Sequence, residues 1–168
     1  YFMNPESKYK GEKVGDIRKR LGKKLAEKDR LKFEDKDNVI VIGCPRSGYY
    51  AGYGYADYYG YRYEQYIRKK KQAERSFIMP NQKERQNIIL KKYEIDFDKI
   101  EGKNLILVDD SIVRGNTMKK LIEQVKLGNP KSIHIRVASP PIRAPCFFGI
   151  DFPTYTELVA HETSIEEI

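Results

Sequence analysis

Leu105-Ile106-Leu107-Val108-Asp109-Asp110-Ser111-Ile112-Val113-Arg114-Gly115-Asn116-Thr117 reads as a buried strand that ends in two carboxylates and then passes through a small polar turn into a helix. Four consecutive apolar residues between polar neighbours suit a strand of a parallel sheet covered on both faces. In such sheets ligands bind beyond the carboxyl ends of the strands. Backbone N–H groups around Gly115 to Thr117, with a helix dipole behind them, suit a phosphate. Ser111 and Thr117 add hydroxyl donors and Arg114 adds charge, while adjacent carboxylates at a strand end suit a sugar diol or a hydrated Mg²⁺. The plain alternative is a polar turn that only caps a helix. The apolar strand before the pair and the Gly-x-Thr start after it favour the ligand site.

Outward from this stretch the chain alternates between strand and helix patterns. Met118, Leu121, Ile122 and Val125 mark the next helix, Gly128 and Pro130 stop it, and Ser132 to Ala138 form a further strand. Upstream, Val14, Ile17, Leu21 and Leu25 recur at helical spacing, which predicts a helix over 13–28. Val39-Ile40-Val41-Ile42-Gly43 is a second buried strand. The turn Cys44-Pro45-Arg46-Ser47-Gly48 leads into a helix reaching about Gly60, and 62–67 can form another strand. Residues 68–76 have no apolar periodicity and read as a basic loop; a helix is expected from Gln82 to Tyr93. This order argues for an α/β fold with a mostly parallel sheet. With no internal repeat or linker, residues 1–168 are expected to form one domain.

The composition agrees. The 168 residues are 40% hydrophobic and 33% charged, in keeping with a globular chain. No apolar run approaches the roughly 18 to 20 residues of a membrane span, and no signal peptide is recognisable, so no membrane partner is expected. Because the chain opens on Tyr1, it is expected to be an excised domain or a processed chain. Two cysteines, Cys44 and Cys146, are too few for a disulfide framework and point to a reducing cytoplasm. A net charge of +8 implies acidic partners, among them nucleic acid, an anionic membrane surface or a polyphosphorylated small molecule.

The stretch resembles the signature for phosphoribosyl pyrophosphate (PRPP) in type I phosphoribosyltransferases: apolar residues, Asp-Asp, then a loop ending Gly-x-Thr. Val108-Asp109-Asp110-Ser111-Ile112-Val113-Arg114-Gly115 is similar, more narrowly, to glutamine PRPP amidotransferases, which usually continue Thr-Thr where this chain has Asn116-Thr117. Ala138-Ser139-Pro140-Pro141-Ile142-Arg143-Ala144-Pro145-Cys146-Phe147-Phe148-Gly149-Ile150-Asp151 resembles the segment after the next strand in that family. Tyr1-Phe2 with Pro5-Glu6-Ser7, Phe77-Ile78-Met79-Pro80 and Glu157-Leu158-Val159-Ala160 extend the likeness over nearly the whole chain.

The resemblance implies the type I phosphoribosyltransferase fold, a twisted parallel sheet flanked by helices with a basic mobile loop over the site. It implies that Asp109 and Asp110 contact the ribose hydroxyls and Mg²⁺, and that Ser111, Ile112, Val113, Arg114, Gly115, Asn116 and Thr117 cradle the 5-phosphate. Arg46, Ser47 and Gly48 match the pyrophosphate loop, with Ser47 helping to hold the metal. The family often carries an acidic residue where this chain has Arg46, which can bind pyrophosphate bidentately. Arg68, Lys69, Lys70, Lys71 and Arg75 match the mobile loop, Lys70 and Arg75 being the cations expected to act in catalysis. This loop differs from the family pattern: Gln72-Ala73-Glu74 stands where the family has an aromatic residue and a glycine.

The activity implied is transfer of the phosphoribosyl group to ammonia, giving 5-phosphoribosylamine and pyrophosphate, the first committed step of purine synthesis. Ammonia comes in that family from a glutaminase domain with an N-terminal cysteine, which nothing here matches, so a glutaminase domain or subunit is an expected partner, as is a homo-oligomer. Cys146 matches one ligand of an iron–sulfur cluster found in some members; with its other ligands outside these residues a cluster is not expected, and a buried apolar role is the simpler reading. His134 and His161 receive no role. Two alternatives remain. One is a PRPP-sensing or nucleic-acid-binding protein, suggested by Tyr49, Tyr50, Tyr53, Tyr55, Tyr58, Tyr59, Tyr61, Tyr63 and Tyr66 among cations, although no RNA-binding motif is present. The other is a transferase for a nucleobase, against which the Ser139-Pro140-Pro141 segment argues.

Overall fold

The computed structural model describes residues 3–70, 93–147 and 154–168. Its centre is a four-stranded parallel sheet in the order β4-β3-β7-β8, where β3 is Val39–Gly43, β4 Arg62–Tyr63, β7 Asn104–Asp109 and β8 Ser132–Val137. The two apolar runs singled out from the sequence are the two inner strands, registered from Val39 against Asn104 to Gly43 against Val108. Their side chains alternate between faces, as strand geometry requires.

On one face Ile40, Ile42, Leu105 and Leu107 pack with Met118, Leu121 and Val125 of α4 (Asn116–Lys126) and with Ile100 of the short α3 (Phe97–Ile100). On the other, Val39, Val41, Ile106 and Val108 pack with Ala26 of α1 (Val14–Lys28) and with Ala51, Tyr55 and Ala56 of α2 (Tyr49–Tyr59). Leu105 to Val108 are fully buried, and about 25 cal/mol per Å² of apolar surface holds these layers together.

Four expectations need correction. The stretch 62–67 is not one strand: β4 pairs with β3, Glu64 N–H then donates to Val41 O, and the chain leaves the sheet. Ile67–Lys69 forms β5, antiparallel to β6 (Tyr93–Ile95), so Arg68 and Lys69 lie in a strand and not in a loop. Fully buried Ile67 anchors this ribbon, and its partner strand begins at Tyr93, where a helix was expected to end. The rest of that helix, with Lys71 to Pro80, lies outside the described residues. In α1 the buried residues are Val14, Gly15, Gly22 and Ala26, whereas Leu21 is exposed. The helix turns its small residues to α2 because the two backbones pack closely, a Cβ on Gly22 falling 1.9 Å from Ala51 O. A two-residue hairpin pair, β1 (Lys8–Tyr9) with β2 (Glu12–Lys13), precedes α1 and carried no recognisable apolar pattern.

One polar node ties the layers on the α1 side. Asp29, just past α1, receives Arg136 of β8 through Nε to Oδ2 and through Nη2 to Oδ1 at 3.1 Å. Tyr55 Oη donates to Oδ2 at 2.5 Å and Leu31 N–H to Oδ1 at 2.9 Å. Burial pushes the Asp29 carboxyl up, but these hydrogen bonds outweigh it and hold it below the usual carboxylate range.

Candidate functional site

The site forms where β3 and β7 end side by side. After Gly43 the chain turns sharply: Gly48 N–H donates to Cys44 O, and Cys44 N–H donates to Val108 O, both inside hydrogen-bond range at 2.9 and 2.8 Å. The Pro45–Arg46 peptide is cis. A Cβ on Gly48 would fall 2.0 Å from Val108 O, so only glycine lets the turn lie against the end of β7. That contact delivers Ser47 to the carboxylates, its hydroxyl donating to Asp109 Oδ1 at 2.8 Å. The same oxygen accepts from Asp110 N–H at 2.9 Å.

Asp109 is half-buried, and its carboxyl is pushed up to about 6. Burial is the main cause and the Asp110 carboxylate adds to it; the two hydrogen bonds oppose the rise. The buried thiol of Cys44 beneath the turn is pushed well above its ordinary value, first by burial and then by the two carboxylates, which makes it an inert core group.

From Asp110 the chain runs through an irregular loop to Gly115, which has φ +75° and stands at the N-terminus of α4. This left-handed residue is why the sequence needs glycine there. Among the described residues no side chain caps α4, which leaves its first-turn N–H groups to face a ligand. Ser47 and residues 109–118 line one cavity of about 280 Å³. A second cavity, about 500 Å³, shares Ser47 and Asp110 with it and continues toward Met3, Tyr9, Ile17 and Leu21.

The structure therefore brings together Ser47, Asp109, Asp110 and the whole of Ser111 to Thr117. Arg46 is exposed and lines neither cavity, and the same holds for Arg68, Lys69 and Lys70. Lys71 and Arg75 lie outside the described residues. Arg114 Nη2 pairs with Glu157 Oε1 at 2.7 Å. Cys146 is half-buried, more open than the buried apolar residue expected. Among the described residues no group of three or more His, Cys, Asp and Glu side chains is placed to share a metal ion, and no helix is long and apolar enough to cross a membrane. His134 accepts or donates to Ser132 Oγ and packs on Phe33, in keeping with a structural place.

The sequence reading gave Glu157 and Val159 no role, yet both reach the loop: Glu157 through Arg114, and Val159 N–H by donating to Val113 O at 2.9 Å. Thr154-x-x-Glu157 is a recognisable local pairing pattern, but nothing in it announces Arg114 forty-three residues away.

Residues 12–139 match the model of the phosphoribosyl transferase domain. The amidophosphoribosyltransferase of Rattus norvegicus is 39% identical over 166 residues, 99% of this chain and 31% of that protein. That of Bacillus subtilis is 38% identical over 168 residues, 100% of this chain and 34% of that protein. Among solved structures, the glutamine PRPP amidotransferase from B. subtilis complexed with ADP and GMP superposes with a TM-score of 0.85 at 37% identity, covering 99% of this chain and 36% of that one. A structure described as the allosteric regulatory enzyme of purine biosynthesis gives 0.85 at 36% identity, covering 99% and 35%. The chain thus spans about a third of the length of these relatives.

Proposed function

Because this chain belongs to the phosphoribosyl transferase domain family, matched over residues 12–139, we propose that it transfers the phosphoribosyl group of PRPP to ammonia, releasing pyrophosphate and forming 5-phosphoribosylamine. The observation that carries this reading is the Asp109–Asp110 pair at the end of β7, held by Ser47 and opening into a cavity lined by the loop before α4. The likeness to amidophosphoribosyltransferases, which extends over the whole of this chain and about a third of each relative, supports ammonia as the acceptor.

In this reading the N–H groups and hydroxyls of Ser111 to Thr117 hold the 5-phosphate, and the two carboxylates accept hydrogen bonds from the ribose hydroxyls. Ser47 and the turn around it receive the pyrophosphate, with Arg46 beside it. Arg68 to Lys70, with Lys71 and Arg75, cover the leaving group and exclude water. The donor set suits Mg²⁺: Asp109, Asp110 and Ser47 are hard oxygen ligands, and a carboxylate partly deprived of water gains from a nearby cation. Asp109, Asp110 and Ser47 would hold the ion, which supplies positive charge against the departing pyrophosphate. The C1–O bond to pyrophosphate breaks as the C1–N bond forms, and the nitrogen then passes one proton to water. No protein nucleophile is needed; the residues act by orientation and electrostatics. Ammonia would arrive from a glutaminase domain or subunit, and the working form would be a cytoplasmic homo-oligomer; a count of two cysteines suits that compartment.

The test is pyrophosphate release from PRPP in concentrated ammonium at alkaline pH, with Mg²⁺, beside the double variant Asp109→Asn, Asp110→Asn. Release that requires ammonium and is lost in the variant is the expected result. Release indifferent to ammonium, or surviving the double substitution, contradicts the proposal.

A further inference from the structure

We infer that Glu157 is a positioning residue for the 5-phosphate: it holds the backbone of the 111–115 loop in its anion-binding shape. The inference rests on the phosphoribosyl reading above and adds a residue to it.

The loop from Ser111 to Gly115 has no regular secondary structure, so its shape is set by what packs against it. A strap formed by residues 154–161 follows it at three consecutive positions. Val159 N–H donates to Val113 O at 2.9 Å. Arg114 Nη2 donates to Glu157 Oε1 at 2.7 Å. The Val159 side chain lies over Gly115, where an added Cβ would sit 3.8 Å from Cγ2. The strap is itself fixed. Leu158 and Ala160 are buried. His161 Nδ1 bonds Arg143 O at 3.1 Å, and the His161 and Tyr155 rings meet at 4.6 Å. Both oxygens of Glu157 are engaged, since Thr154 Oγ1 donates to Oε2 at 3.1 Å. A carboxylate pinned from behind in this way fixes the arginine in front of it, and with it the peptide groups that face the phosphate.

The direction of the effect separates positioning from simple charge. Glu157 is an anion close to an anion-binding loop, so deleting its charge without loosening the loop tightens phosphate binding. Losing a positioning contact does the reverse. The substitution Glu157→Gln keeps the size and removes the charge. Ribose 5-phosphate and inorganic pyrophosphate, each with Mg²⁺, are titrated separately into the whole chain by calorimetry. We expect Glu157→Gln to weaken ribose 5-phosphate about fivefold, the upper scale of a partly exposed ion pair, with pyrophosphate binding and the thermal midpoint unchanged. Tighter or unaltered ribose 5-phosphate binding overturns the inference. So does equal weakening of both ligands, or a lowered midpoint, because either marks a merely structural role. If the unaltered chain binds pyrophosphate but no ribose 5-phosphate, the phosphoribosyl reading itself falls, and this inference with it.

Discussion

Replacing Asp109 by Asn should stabilise the ligand-free protein while removing its activity. Both hydrogen bonds to this side chain, from the Ser47 hydroxyl and from Asp110 N–H, end on Oδ1. An amide oxygen accepts both, so the substitution keeps the geometry and deletes only the charge. The carboxyl is pushed from 3.8 up to about 6, chiefly by burial, which corresponds to a cost of about 3 kcal/mol for the ionised form. Loop relaxation and entering water reduce this to between about 1 and 3 kcal/mol, or a rise in Tm of roughly 3 to 9 °C for a chain of this size. The sign with pH is fixed. A raised carboxyl favours the folded state fully below the unfolded value near 4 and loses that contribution as pH rises through about 6. The gap between variant and unaltered protein is therefore largest at pH 8 and closes toward pH 4.5. Urea unfolding at several pH values, with EDTA present, reads it directly. A variant less stable at pH 8, or a gap independent of pH, refutes the reasoning.

Other outcomes follow from the same geometry. Arg136→Met strips the charged partner from Asp29, whose side chain is only 9% exposed, and should cost about 2 to 3 kcal/mol, between the surface and buried limits, in chemical denaturation. Because the Asp29 carboxyl is held below its usual range, its contribution is present above pH 4 and disappears as pH falls below it, so the variant's deficit should shrink in acid. Gly48→Ala places a Cβ 2.0 Å from Val108 O; the expected loss is about 3 kcal/mol or more, with pyrophosphate binding lost in calorimetry. An alanine that is tolerated at this position with binding intact would remove the tight turn from the explanation of the site.

Both inner strands were legible because their apolar runs are bounded and their environment is uniform: Val39–Gly43 and Leu105–Val108 are buried on both faces, so pattern and position agree. The carboxylate pair and the helix start after it were legible for a related reason, since the chemistry lies on contiguous residues. What stayed hidden depends on partners distant in sequence. β5 was concealed because Arg68 and Lys69 are exposed on a two-stranded ribbon, which leaves Ile67 as the one β5 residue anchored in the core. The face of α1 was misjudged because close packing on α2 favours small residues over Leu21, with Gly22 against the Ala51 backbone and Gly15 against the Tyr50 ring. Glu157 was missed because an ion pair across forty-three positions leaves no periodic trace. Two of the tyrosines of α2 find their reason inside the protein, Tyr55 being fully buried on Asp29 and Tyr59 Oη donating to Ala26 O and Asp29 O, whereas Tyr53 and Tyr58 stay exposed.

The most direct test of the central claim follows the bond that is made. PRPP labelled with ¹³C at C1, incubated with ¹⁵N-ammonium and Mg²⁺ at alkaline pH, is observed by carbon NMR as the reaction proceeds. A C1 resonance split by one-bond coupling to ¹⁵N, appearing with pyrophosphate and absent with the Asp109→Asn, Asp110→Asn protein, is the predicted result. Conversion of C1 only to the resonances of ribose 5-phosphate, without nitrogen coupling, would mean hydrolysis in place of transfer and would contradict it.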